Sequence, residues 1–153
     1  MTLSDPAWNL MPEELLCRRI VEGAGEAIVA ADRDGIIRLW NDGAERMFGF
    51  SADEALGRSL DLIIPERHRQ RHWDGYFKTM DTGRTRYGDK LLAVPALHRS
   101  GEQISVEFSV VLLKDDDGRP LGVASVLRDV TERWRREKAL RERLRALEGA
   151  SGS

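Results

Sequence analysis

The chain has 153 residues, 41% of them hydrophobic, with 24 Lys and Arg against 26 Asp and Glu, for a formal net charge of −2. This length suits one domain with a real core, and the balanced charge excludes a dedicated nucleic-acid binder, which carries a basic face. No apolar run approaches the roughly 20 residues of a membrane span, and a single cysteine, Cys17, excludes an intrachain disulfide and fits a reducing, cytoplasmic compartment. The acidic start, MTLSDPAWNLMPEE, lacks the basic and apolar segments of a secretory signal.

Residues 1–11 read as a disordered lead-in. Pro12, followed by Glu13 and Glu14, opens a flanking helix over 12–24. Proline and acidic side chains both suit a first helical turn. Leu15, Leu16 and Ile20 give this helix an apolar face, and Gly23 and Gly25 stop it. Two alternating runs surround Asp34-Gly35, which predicts a hairpin. Asn41 is placed to cap a short helix that turns Ala44, Met47 and Phe48 inward. Ser51 and Glu54 have the spacing of a capping box.

Pro65 opens a longer helix to about Met80, ended by Asp81-Thr82-Gly83. His72, Trp73, Tyr76, Phe77 and Met80 fall on one stripe of it. Strands are predicted over 86–98, 102–113 and 120–130. The second carries the clearest period-two pattern, Ile104, Val106, Phe108, Val110 and Leu112. Pro95 suggests an edge strand or a bulge in the first. Residues 131–148 form a charged helix, followed by a tail over 149–153. Val130, Leu140, Leu144 and Leu147 fit heptad core positions, although Arg133 and Glu137 share that seam. Glu132 with Arg136 and Glu137 with Arg141 are candidate i,i+4 pairs. The leucines suggest a short homodimer extension rather than an independent coiled coil, with Trp134 packed at the seam.

Taken in order, DRDGIIRLWNDGAERMFGFSADEALG, HRSGEQISVEFSV and GVASVLRDVTER resemble a PAS domain, the small sensory module of bacterial signalling proteins. The resemblance covers about residues 14–133, with the domain proper at 25–130. It implies an α+β fold: a five-stranded antiparallel sheet in the order 2-1-5-4-3, short helices on one face, and flanking helices at both ends. It implies a ligand-holding switch rather than an enzyme, attached to a downstream signalling protein or domain. Asp129 and Thr131 match the family's Asp-x-Thr signature, which couples the last strand to the output helix.

Within this class, the haem-binding oxygen sensors carry their iron ligand on a histidine seven residues after a helix-opening proline. Here that residue is His72, counted from Pro65, and a neutral imidazole on an apolar stripe suits axial ligation. His68, one turn earlier, is the alternative inward histidine. The resemblance places Tyr76, Leu92, Phe108 and Val110 around the haem. The oxygen sensors place an arginine nine residues before the turn glycine, but Leu92 stands there and forms no hydrogen bond. Lys90 is the substitute if Pro95 marks a bulge, and Arg86 is a candidate for a haem propionate. Cysteinyl-flavin photochemistry is excluded, because DLIIPE replaces the reactive-cysteine motif. Two readings stay open beside haem: a dimerisation module with an empty pocket, or one holding a small metabolite or a non-covalent flavin lined by Trp40, Asn41 and Trp73. A zinc site on His68 and His72 would need Glu66 or Asp74 to swing round as a third ligand.

Overall fold

Short-range hydrogen bonds set several turns and caps of the computed structural model, which describes residues 10–85 and 92–151. Helix α1, Glu13–Gly23, starts after Pro12 with Glu13 and Glu14 in its first turn. Strand β1, Ala27–Asp32, buries alternate residues and turns into β2, Ile37–Trp40. The turn is held by Asp32, whose Oδ1 accepts the Asp34 and Ile36 amides at 2.9 and 3.1 Å. Gly35 takes the positive φ of 78° that this turn requires.

Asn41 caps α2, Asp42–Phe48. Ser51 and Glu54 complete the expected capping box of α3, Ala52–Ala55. A 3-10 turn at Leu60–Ile63 leads to α4, Glu66–Thr82. Strands β3, Leu92–Leu97, β4, Gln103–Lys114, and β5, Pro120–Asp129, follow, and helix α5 spans Thr131–Ser151.

The sheet runs β2-β1-β5-β4-β3 with every pairing antiparallel, the order expected. The connection from β2 to β3 carries α2, α3 and α4, which supplies the helices that cover one sheet face. Ala27, Val29, Ile37, Trp40, Phe48 and Val106 lead the main core, and Ala31, Tyr76 and Met80 form a second cluster under α4.

Several expectations change. Pro95 sits on an edge strand, but β3 has no bulge. Its register runs unbroken from Leu92↔Phe108 to Leu97↔Gln103, because an edge strand can point a proline's missing N–H outward without distortion. The 149–153 tail begins later than expected. Helix α5 continues through Ser151, whose hydroxyl donates to Glu148 O at 3.1 Å. The i,i+4 pair that forms on α5 is Arg133–Glu137, at 3.9 Å.

Candidate functional site

Between the inner sheet face and α4 lies a cavity of about 1170 Å³, somewhat above the ~300–1,000 Å³ common for ligand sites. Val29, Val106, Phe108, Val110, Val123 and Leu127 make its sheet wall apolar. Ser125 is the one polar side chain that the described strands contribute. The helix wall carries His68, His72, Tyr76 and Thr79. Exposed Arg71, Lys78 and Arg84 also border the space.

Long-range contacts set the roll of α4. The Tyr76 hydroxyl donates to the carbonyls of Ala31, at 3.3 Å, and Asp32. Burial, together with the charges of Asp32 and Asp34, pushes its pKa far above the usual phenol range. Trp73 lies over Gly35, where a Cβ would stand 2.1 Å from the indole ring, and its Nε1 donates to Asp61 Oδ1 at 2.7 Å. These two anchors pin the helix to the β1–β2 hairpin and turn His72 toward the cavity.

The His72 ring meets Trp73 edge-on at 4.7 Å and lies 5.7 Å from Tyr76. Its Nδ1 is buried and has no hydrogen-bond partner among the described residues. Burial lowers its pKa below the ordinary 6.5, and the nearby Asp61 carboxylate opposes this to a smaller extent. The imidazole is therefore held neutral, the form that can donate a lone pair to a metal. His68 also borders the cavity, but its Nε2 accepts the Arg67 Nε–H at 3.1 Å. His98 lies apart, its Nδ1 3.0 Å from Ser100 Oγ. No group of three His, Cys, Asp or Glu among the described residues could hold a metal ion, so neither Glu66 nor Asp74 completes a zinc set with the two histidines.

His72, Tyr76, Leu92, Phe108 and Val110 thus line one cavity. Arg86 and Lys90 lie outside the described residues. Trp40, Asn41 and Trp73 do not line it. Trp40 is buried in the main core with its Nε1 donating to Phe50 O at 2.9 Å. Asn41 spends its amide on backbone groups, and Trp73 is committed to Gly35 and Asp61. Phe77 leaves the predicted inward stripe: it is 46% exposed and stacks on Trp73 at 5.5 Å. Ser125 and the basic rim were not anticipated. The signal for Ser125 was its parity with inward Val123 and Leu127 on β5.

At the far end of β5, Asp129 Oδ1 accepts the Thr131 amide at 2.9 Å and also the Thr131 hydroxyl. Thr131 Oγ1 in turn accepts the Ser105 amide at 3.0 Å, and Val130 N–H donates to Ser105 O at 2.9 Å. The start of α5 is therefore stapled to β4. Arg133 pairs with Glu107, and Arg135 with Glu102 at 3.2 Å. No residue of α5 is buried.

An antiparallel sheet wrapped over one apolar cavity, covered by a helix and followed by a projecting one, is the architecture of a PAS-type sensory module. The chain belongs to the PAS fold family, whose model matches residues 21–135. It is 29% identical over 137 residues to the sensor protein FixL of Bradyrhizobium diazoefficiens, covering 87% of this chain and 26% of that protein. It is 32% identical over 128 residues to an uncharacterised protein of Azorhizobium caulinodans, covering 83% of this chain and 17% of that protein. The chain therefore spans about a quarter or less of these curated relatives. The PAS domain of a Colwellia psychrerythraea protein has a similar crystal structure, with a TM-score of 0.67 at 20% identity, covering 76% of this chain and 96% of that one. No helix among the described residues is long and apolar enough to cross a membrane.

Proposed function

We propose that this module senses through haem held in its cavity, with His72 as the axial ligand, and relays the haem's gas or redox state through α5. The observation that carries this reading is the neutral, unpartnered imidazole on the wall of an otherwise apolar cavity. Bound haem would supply an iron that accepts an axial imidazole and a visible spectrum that reports its state. Trp73 and Tyr76 hold the His72 ring in place. Leu92, Phe108 and Val110 keep the opposite wall dry. Arg71, Lys78 and Arg84 offer cations to the porphyrin carboxylates at the rim, with Arg86 a further candidate for the same task. The similarity to a protein named as a sensor supports the signalling role. Titrating haem into the purified protein tests the cofactor: a Soret band saturating at one haem per chain is expected. Failure to saturate would leave an interaction module, with an empty pocket or one holding a metabolite or flavin.

The relay runs through Asp129 and Thr131. Each lost cap-type bond costs about 1 kcal/mol, so double substitution to alanine should leave the core folded and free the start of α5. Hydrogen exchange should speed up across residues 132–148 and at the Ser105 amide while β1 stays protected. Unchanged protection of α5 would remove the junction as a coupling point.

The output partner is a downstream signalling domain or protein, and the unit is a homodimer through its flanking helices. Leu140, Leu144 and Leu147 on α5 are 60%, 56% and 62% exposed, and Ile20 on α1 is 61% exposed. Such a leucine stripe wants an apolar partner. Light scattering at high micromolar concentration should give twice the chain mass, and a persistent monomer would contradict the assembly.

A further inference from the structure

Ser125 stands out on the inner sheet face. It lies mid-strand on the central strand β5, paired to Val29 on one side and Val110 on the other. Its inward neighbours in the strand, Val123 and Leu127, are apolar, as is every other described strand side chain on the cavity. Serine is a poor residue for a central strand, where β-branched side chains pack better. A hydroxyl facing an apolar interior also costs free energy unless it is hydrogen-bonded. Among the described residues Ser125 Oγ forms no hydrogen bond, so it does not bridge strands or tie the sheet to α4. It differs in this from Thr79, on the helix wall, whose hydroxyl donates to Gly75 O at 3.0 Å. Apart from the exposed cations at the rim, His72 on the helix wall and Ser125 on the sheet wall are polar groups of the cavity without a partner among the described residues. A few polar groups on apolar walls are what orient a bound molecule in such a site.

We infer that Ser125 is the sheet-side hydrogen-bond donor to the small ligand taken up at the haem iron, in the role that Leu92 on β3 cannot fill. This rests on the haem reading proposed above. A lone hydroxyl is neutral and short. It favours a small ligand with an acceptor atom. Its contribution is selectivity among small ligands, and haem retention stays with His72 and the rim.

The probe is fluoride, a small acceptor, titrated into the ferric haem-loaded protein and followed in the visible spectrum. Ser125→Ala should keep the haem Soret band and haem stoichiometry of the wild type while weakening fluoride about tenfold, the loss expected for one hydrogen bond to a charged acceptor. Ser125→Thr keeps the hydroxyl and should stay within about threefold of the wild type, because the donor is retained. In a parallel arm, the infrared stretch of carbon monoxide bound to the ferrous protein should move to higher frequency in Ser125→Ala alone. Equal fluoride affinity and an unmoved carbon monoxide band in Ser125→Ala, with haem retained, would overturn the assignment of Ser125 and leave the haem reading standing. Loss of haem from Ser125→Ala would also overturn it, by making the residue part of haem retention. A wild-type chain that binds no haem would bring down both.

Discussion

Replacing His72 with alanine should abolish the Soret band of the haem-reconstituted protein, whereas His68→Ala should keep it. The two histidines sit one turn apart on α4 and both border the cavity, so burial alone does not separate them. Hydrogen bonding does. His68 Nε2 is engaged by Arg67, while His72 has a buried nitrogen with no described partner and a pKa lowered by its surroundings. A retained Soret band in His72→Ala, or its loss in His68→Ala, would move the ligand to the other histidine. The same imidazole leaves a signature without haem. Its folded-state pKa lies below 6.5, so at pH values between the two the unfolded chain binds more protons than the folded one. Stability therefore rises with pH through that window, is complete above the unfolded value, and is lost as pH falls toward the folded value. Urea unfolding across this range should show that slope in the wild type and a flatter one in His72→Ala. Equal slopes would mean that His72 is not held neutral by the fold.

Asn41→Ala should cost about 3–5 kcal/mol, a large share of the stability of a domain this size. Asn41 is 3% exposed, and both ends of its amide are in use. Its Oδ1 accepts the Ile28 and Ala44 amides at 2.8 and 2.9 Å. Its Nδ2 donates to the carbonyls of Val21 and Glu26 at 2.8 and 3.0 Å. One side chain thus caps α2, closes the end of β1 and ties down α1. Alanine would strand two donors and two acceptors where water reaches poorly. The melting temperature should drop by about 10 °C. Asn41→Asp separates these tasks, because it keeps the cap acceptor but turns an oxygen toward two carbonyls. It should also be clearly destabilised. An aspartate variant as stable as the wild type would show that capping is the whole role.

The two cases show how far the chain could be read unaided. Asn41 was legible as a cap because the backbone N–H that its Oδ1 accepts lies three residues away, at Ala44. Its donors to Val21 and Glu26 were not legible, since they join elements that meet only in the fold. The Pro65-to-His72 spacing picked out an imidazole that the fold turns toward the cavity. The stripe drawn from helical period was too wide: Phe77 faces out, and Trp73 covers the hairpin instead of the cavity. The flavin lining from Trp40 and Asn41 failed for the same reason, since core packing and backbone bonds had already claimed both side chains.

What the sequence determined by itself is the set of elements and their order. The Asp34-Gly35 turn and the Ser51–Glu54 capping box are fixed by contacts within a few residues, and the period-two run of β4 marks out its two faces. Those contacts act in any fold that leaves the segments paired as strands and helices. The tertiary structure decided which side chains face the cavity. Ser125 meets it only because β5 lies between β1 and β4 in the observed register, and His72 faces it only because Tyr76 and Trp73 lock the roll of α4 against residues far away in the chain. A helix or strand leaves its own rotation and neighbours open, and these are settled when apolar faces are buried and distant hydrogen bonds close.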